Sequence, residues 1–154
     1  MAVSDVMGVT AVTVTPDVTV QEAIGRMVAA NVGSVTVCDG PRLVGIFTER
    51  DVLRLAGRGA DFRSLDVGDV MTSDLITIPP DADLLAAAHL MAEKRIRHLP
   101  VVEGDNLLGV VGIRDVLSVL FEKLWAQHDE EARRRVQELL SRTPGRHVHE
   151  ELSA

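Results

Sequence analysis

Gly45-Ile46-Phe47-Thr48-Glu49-Arg50-Asp51-Val52-Leu53 returns 64 residues later as Gly109-Val110-Val111-Gly112-Ile113-Arg114-Asp115-Val116-Leu117. The same offset holds on the N-terminal side. Val3-Ser4-Asp5-Val6-Met7 falls on Val67-Gly68-Asp69-Val70-Met71, and Pro16-Asp17 on Pro80-Asp81. Ala23, Met27, Val37, Gly40 and Leu43 meet Ala87, Met91, Val101, Gly104 and Leu107. No gap is needed between residues 3 and 53, and 17 of the 51 aligned positions are identical. Chance gives only a few identities, so the chain carries an internal duplication.

Both copies predict one order of elements. Ala11 to Val14 is a β-branched run that Thr15-Pro16-Asp17 ends. Thr19 is an N-cap candidate, and Val20, Ala23, Ile24, Met27 and Val28 recur at helical spacing, with Asn31 and Gly33 at the helix end. Val35–Val37 and Leu43–Phe47 read as strands around the Asp39-Gly40 turn, a hairpin signal. Thr48 then caps a helix from Glu49 to Leu55. Copy two predicts strands at Leu75–Ile78, Leu99–Val102 and Leu107–Val111, a helix from Leu84 to Lys94 and another from Ile113. The order per copy is β-α-β-β-α. A unit of about 50 residues buries its own sheet poorly. Two copies facing each other would bury both, in an α/β (α+β) domain with a pseudo-twofold axis and equivalent clefts between the copies. The divisions are residues 1–60, 61–120 and a tail at 121–154, with Gly57 to Leu65 as the link.

The composition narrows the function. The chain has 154 residues, 16 Lys and Arg against 23 Asp and Glu, and a net charge of −7. It lacks the basic excess that releases phosphate counterions, and with three Phe, one Trp and no Tyr it lacks a stacking platform, so nucleic-acid binding is not expected. No apolar stretch approaches a membrane span. MAVSDVMGVT has neither a basic flank nor an apolar h-region, so no signal peptide is expected. Cys38 is the sole cysteine, which points to a reducing, cytoplasmic setting and an inert thiol.

The duplication and its motifs resemble the CBS domain pair, or Bateman module, over about residues 2–120. Gly45-Ile46-Phe47-Thr48-Glu49-Arg50-Asp51 is similar to the family's glycine–hydrophobic–hydrophobic–Thr-x-x-Asp motif. Copy two keeps Gly109 and Asp115 but has Gly112 in place of threonine. Ile96-Arg97-His98-Leu99-Pro100-Val101-Val102 is similar to the family's basic residue followed by Leu-Pro-Val-Val, from which copy one departs with Val32-Gly33-Ser34-Val35. The resemblance implies a regulatory, non-catalytic module that needs no cofactor or metal. It would bind an adenosine nucleotide (AMP, ADP, ATP) or NAD in the clefts, with S-adenosylmethionine as a further family ligand, and pair into dimers. Nothing beyond the pair is recognisable, so the chain resembles the small stand-alone members, whose target proteins are unidentified.

The residues that would carry binding follow from their chemistry. Asp51 and Asp115 stand in the first turn of a helix, where a carboxylate can accept both hydroxyls of a ribose diol; as plain helix-terminal acids they would be equally at home. Thr48 is an N-cap, a ligand contact or both, whereas Gly112 leaves room and exposed N–H groups. Arg97 and His98 form a phosphate pair, or else a solvated helix end. Arg50 and Arg114 reach for a phosphate across the pseudo-twofold, or pair with a neighbouring acid. Pro100 contributes to an adenine slot with Val9–Val12, Val35, Val37, Ile46, Ile76, Val102 and Val110, most of which also read as core. Thr10, Thr72 and Ser73 precede the first strands and would place backbone groups near the base. Because copy one replaces Arg97-His98 by Gly33-Ser34, the cleft beside Arg97-His98 is expected to prefer the more anionic ligand. His147 and His149 carry no metal role, and Gly109-Val-Val-Gly112 is not a dinucleotide fingerprint.

The tail continues a helical stripe through Leu120, Leu124, His128, Ala132, Val136 and Leu140, with Trp125 beside it, to about Ser141. Such a helix either packs on its own body or meets a second subunit, and a homodimer is the expectation. Two other classes stay open: an enzyme that uses His98 and an aspartate to hydrolyse or transfer phosphate, and a constitutive dimeric scaffold with degenerate pockets.

Overall fold

The computed structural model describes residues 1–8, 12–128 and 130–142. Copy one contributes β1 (Thr13–Val14), α1 (Val20–Ala30), β2 (Ser34–Asp39), β3 (Arg42–Thr48) and α2 (Glu49–Gly57). Copy two contributes α3 (Val67–Val70), α4 (Leu84–Lys94), β4 (His98–Glu103), β5 (Asn106–Gly112) and α5 (Ile113–Gln127), and α6 (Glu130–Arg142) follows. The mixed α and β class, the tandem order and the long C-terminal helix agree with the sequence reading. Thr19 caps α1 by accepting the Glu22 N–H at 3.1 Å, and Asn31 closes it in the left-handed conformation, at φ 53°. The hairpin turns use Gly40 and Gly104 at φ 60° and 62°, where only glycine is free of Cβ strain.

Two expectations change in detail. Leu75–Ile78 is a single parallel bridge, Ile78 to Val101, the counterpart of Val14 with Val37 in β1 and β2. The tail stripe is helical as expected, but α5 and α6 are separate helices. Arg133 of α6 donates to the Trp125 and Ala126 carbonyls, satisfying acceptors that the end of α5 leaves open.

The copies are interlocked rather than merely apposed. Strand order is β1-β2-β3-β5-β4, and β3 meets β5 in the single register pair Arg42 and Asn106, beside which Leu43 donates to Asp105 O and Leu107 to Pro41 O. Each copy's leading segment pairs with the other copy. Thr72 exchanges both backbone hydrogen bonds with Ile46, at 2.9 and 3.0 Å, and Gly8 does so with Val110, at 2.9 and 3.3 Å. Val67 donates to Val18 O and Val3 to Ala82 O, both at 2.8 Å. These contacts are related by the 64-residue shift, so the pseudo-twofold is written into the hydrogen bonds. Val67 is fully buried in the core of copy one, among Val14, Val20, Ala23, Met27, Val35, Val37 and Phe47. Val3, its counterpart, is also fully buried.

The crossing explains the glycine that opens each motif. A Cβ on Gly109 would lie 2.7 Å from Gly8 O and 3.2 Å from Met7 Sδ, and one on Gly45 would overlap Met71 Sδ. Gly45 and Gly109 are the places on β3 and β5 where the other copy's leader passes. By its contacts the chain divides into Met1–Val116 and Leu117–Ala154.

Candidate functional site

One cleft of about 400 Å³ opens within Met1–Val116, where β3 runs into α2 and the end of α4 turns into β4. It gathers Thr48, Arg50, Asp51, Thr72, Arg97, His98 and Pro100, seven of the residues singled out from the sequence. Ile46, Leu75, Ile76, Ile96 and Pro100 supply apolar wall, and Glu49, Arg54, Asp74 and Arg95 add charge. Arg114 and Asp115 belong to the pseudo-equivalent position in copy two. Ser73 is exposed and does not line the cleft. Thr10 lies outside the described residues, as do His147 and His149. Of the expected adenine slot the cleft holds Ile46, Ile76 and Pro100, whereas Val12, Val102 and Val110 do not line it. Val35 and Val37 are fully buried core, and Val9 lies outside the described residues.

The strand-to-helix junction sets the geometry. The Glu49 N–H, first in α2, donates to Gly33 O at 3.1 Å, and Ile113 does the same to Arg97 O at 2.9 Å, tying each helix start to the strand beside it. Asp51 Oδ2 accepts the Thr48 N–H at 2.8 Å and the Thr48 hydroxyl at 3.2 Å. Asp115 Oδ2 accepts the Gly112 N–H at 3.0 Å, so the amide expected to stand exposed there is engaged. Each aspartate therefore works as a helix-terminal acceptor through one oxygen. The same bond fixes the plane of the carboxylate, which leaves Oδ1 to meet a ligand. Thr72 lines the cleft, but both its backbone groups are taken by Ile46, which removes them as partners for a base.

The cleft carries four arginines on two elements. Arg50 and Arg54 are one helical turn apart on α2, and Arg95 and Arg97 flank Ile96 at the end of α4. Among the described residues none of these four guanidinium groups makes an ion pair. Arg50 donates instead to Arg95 O, at 3.4 Å. His98 is half-buried at the start of β4. Burial holds its pKa below the ordinary value, and Arg97 and Arg114 push the same way, against Glu49 and Asp115. Its ring and the Glu49 carboxylate both lie over Gly33, where a Cβ would lie 3.2 Å from Glu49 Oε1 and 3.4 Å from His98 Cε1. Gly33 thus makes the room that lets the two side chains approach. Cys38 is buried at the end of β2, and burial pushes its thiol up, away from the reactive thiolate.

Arg54 and Arg95 escaped the sequence reading because a charged residue on a helix surface is ordinary. The usable signal was the spacing of Arg54 from Arg50, and of Arg95 from Arg97. No helix among the described residues is long and apolar enough to cross a membrane.

The model of the CBS domain family matches residues 3–58 and again residues 67–122. The CBS domain-containing protein YhcV of Bacillus subtilis is 38% identical over 116 residues, which are 75% of this chain and 82% of that protein. A crystal structure of a CBS-domain containing protein from Agrobacterium tumefaciens is 35% identical, with a TM-score of 0.71 over 77% of this chain and 98% of that one. The CBS domain pair of protein MJ0100, solved with 5′-methylthioadenosine and S-adenosyl-L-methionine, has a TM-score of 0.74 at 22% identity, over 80% of this chain and 98% of that one; the likeness is one of fold. The chain spans 59% of the mitochondrial CBS domain-containing protein CBSX3 of Arabidopsis thaliana, with 39% identity over 126 residues. It spans 21% to 37% of six further relatives. Two consecutive matches to one family model coincide with the two copies whose crossed leaders and paired helix starts define the structure, and the chain belongs to the CBS domain family, as a tandem pair.

Proposed function

We propose that the protein is a non-catalytic regulatory sensor that binds an adenosine nucleotide, AMP, ADP, ATP or NAD, in the cleft between its copies. The observation that carries this reading is the meeting of three chemistries in one cleft. Ile46, Ile76 and Pro100 offer an apolar slot for a base, Asp51 a fixed carboxylate for the ribose diol, and Arg50 and Arg97 guanidinium groups with no ion pair among the described residues for phosphate. No cofactor is required. Ligand binding would act by linkage: it favours the arrangement of copies, or of subunits, for which the nucleotide has the higher affinity. The target is a protein partner outside this chain. The setting is the cytoplasm, which suits the lone buried Cys38 thiol.

We further propose a homodimer. Leu117, Phe121 and Leu124 stand at helical spacing on α5, and each is more than half exposed. The stacked pair of Phe121 and Trp125 enlarges that apolar surface.

Thermal unfolding of the intact chain against adenosine nucleotides, NAD and S-adenosylmethionine tests the sensor reading. A ligand at 100 times its Kd adds about 2.7 kcal/mol to stability. Phosphate release from ATP with magnesium would favour an enzyme instead. Absence of any nucleotide binding would favour a scaffold with degenerate pockets.

A further inference from the structure

We infer that Arg54 and Arg95 form a second phosphate subsite, which makes this cleft selective for a ligand carrying a chain of two or more phosphates. The inference rests on the nucleotide reading of the cleft and adds to it which ligand class is preferred and why.

Three observations converge. The cleft wall carries four arginines on two elements, Arg50 and Arg54 on α2, and Arg95 and Arg97 between α4 and β4, so one arginine of each element remains once Arg50 and Arg97 serve a first phosphate. Arg50 and Arg97 already supply forked donors for one phosphate, and a longer anion brings the further oxygens that suit Arg54 and Arg95. The acids of the cleft are Glu49, Asp51 and Asp74, and none of them neutralises these groups by an ion pair among the described residues. Four positive groups left unpaired in one cleft of a chain with net charge −7 are poised for an external anion.

The backbone adds an independent sign. Arg95 sits at φ 56°, in the left-handed region that non-glycine residues other than asparagine and aspartate rarely enter. Its counterpart is Asn31, at φ 53°, the residue type that suits this conformation. Copy two thus holds an arginine where copy one shows that asparagine closes the same helix at lower strain. A strained residue in a cleft is an observation from which function can be inferred. The 64-residue shift also replaces Arg54 by Ser118 and Arg97 by Gly33, so of the four arginines only Arg50 has an arginine counterpart, Arg114. The charge belongs to one position of the duplicated pair, not to the repeat as such.

The repeat supplies conservative test variants. Arg54→Ser and Arg95→Asn each install the residue that the other copy already uses, and Arg95→Asn relieves backbone strain, so the double variant should unfold no earlier than the wild type. The intact protein and this variant are titrated with adenosine, AMP, ADP, ATP and inorganic triphosphate. In the wild type, affinity should rise roughly tenfold or more from AMP to ATP. In the variant that rise should disappear, while AMP binding changes by less than about threefold. Equal binding of AMP and ATP by the wild type overturns the inference, as does an equal loss for both ligands in the variant. If inorganic triphosphate binds and is lost in the variant while no adenosine ligand binds, the subsite stands and the nucleotide reading falls. If AMP binds but no preference for a longer phosphate chain is found, the nucleotide reading stands and the subsite falls. Failure of every ligand to bind overturns both.

Discussion

Replacing Asp51 by alanine should damage two separable properties. Asp51 Oδ2 accepts the Thr48 N–H at 2.8 Å and the Thr48 hydroxyl at 3.2 Å, so the change removes a reciprocal cap from the start of α2. Such a loss costs about 1 kcal/mol, or about 2–4 °C in Tm for a chain of this size. The second loss is the oxygen that would hold a ribose diol. A charge-assisted pair of bonds contributes about 1.5–3 kcal/mol, which is ten- to a hundredfold in affinity. Asp51→Asn separates the two. An amide oxygen still accepts the Thr48 N–H, but the charge is gone, so stability should return close to wild type while affinity stays reduced. The assay is thermal unfolding without ligand together with calorimetric titration of ATP, on wild type and both variants. If Asp51→Ala lowers Tm and binds ATP as the wild type does, the aspartate is a capping residue only, and the ribose assignment is refuted. Asp115, which accepts the Gly112 N–H without a hydroxyl beside it, should show the smaller loss of stability.

The glycines under the crossed leaders should respond unequally. Gly109→Ala drives a Cβ against the Gly8 carbonyl and should cost about 1–3 kcal/mol, whereas the nearest atoms to a Cβ at Gly45 are those of the flexible Met71 thioether, so Gly45→Ala should be rescued by Met71→Ala; equal, unrescued losses in denaturant midpoint would contradict this. For His98, whose pKa is lowered by burial, the unfolded chain takes up the proton first. Its contribution to stability is therefore present above the ordinary value of 6.5 and lost as the pH falls through the lower folded value. Nucleotide affinity should rise over that same acid limb, because an anion favours the protonated ring, and His98→Gln should flatten both profiles when each is measured between about pH 5 and 8. Truncation after Leu120 removes Phe121 and Leu124 and should weaken the dimer while nucleotide binding persists. Light scattering that finds the full-length chain monomeric at tens of micromolar would refute the dimer.

The fold was legible wherever it depends on local pattern. The gapless repeat, the hairpins at Asp39-Gly40 and Gly104, the caps at Thr19 and Thr48 and the span of α4 all follow from periodicity and turn chemistry. What stayed hidden was non-local. Nothing in Val67-Gly68-Asp69-Val70 announces that it forms α3 and places Val67 in the core of the other copy, because four residues carry no period. The glycines Gly45 and Gly109 were visible as motif letters, but their cause, a leader from the opposite copy, is a tertiary fact. In the cleft, residues with a strong local signature were found: Asp51 and Thr48 at a helix start, Arg97 and His98 ahead of a Leu-Pro strand. Arg54 and Arg95 were missed because their significance lies in what they face, and the use of the Thr72 backbone by Ile46 was missed for the same reason.

Calorimetric titration of the intact wild-type chain with ATP, with AMP and NAD in parallel, bears on all of this at once. Saturable binding that Arg97→Ala weakens more for ATP than for adenosine is the expected result. No heat and no thermal stabilisation with any adenosine ligand, at concentrations up to the millimolar range, would contradict the reading of the cleft as a nucleotide sensor.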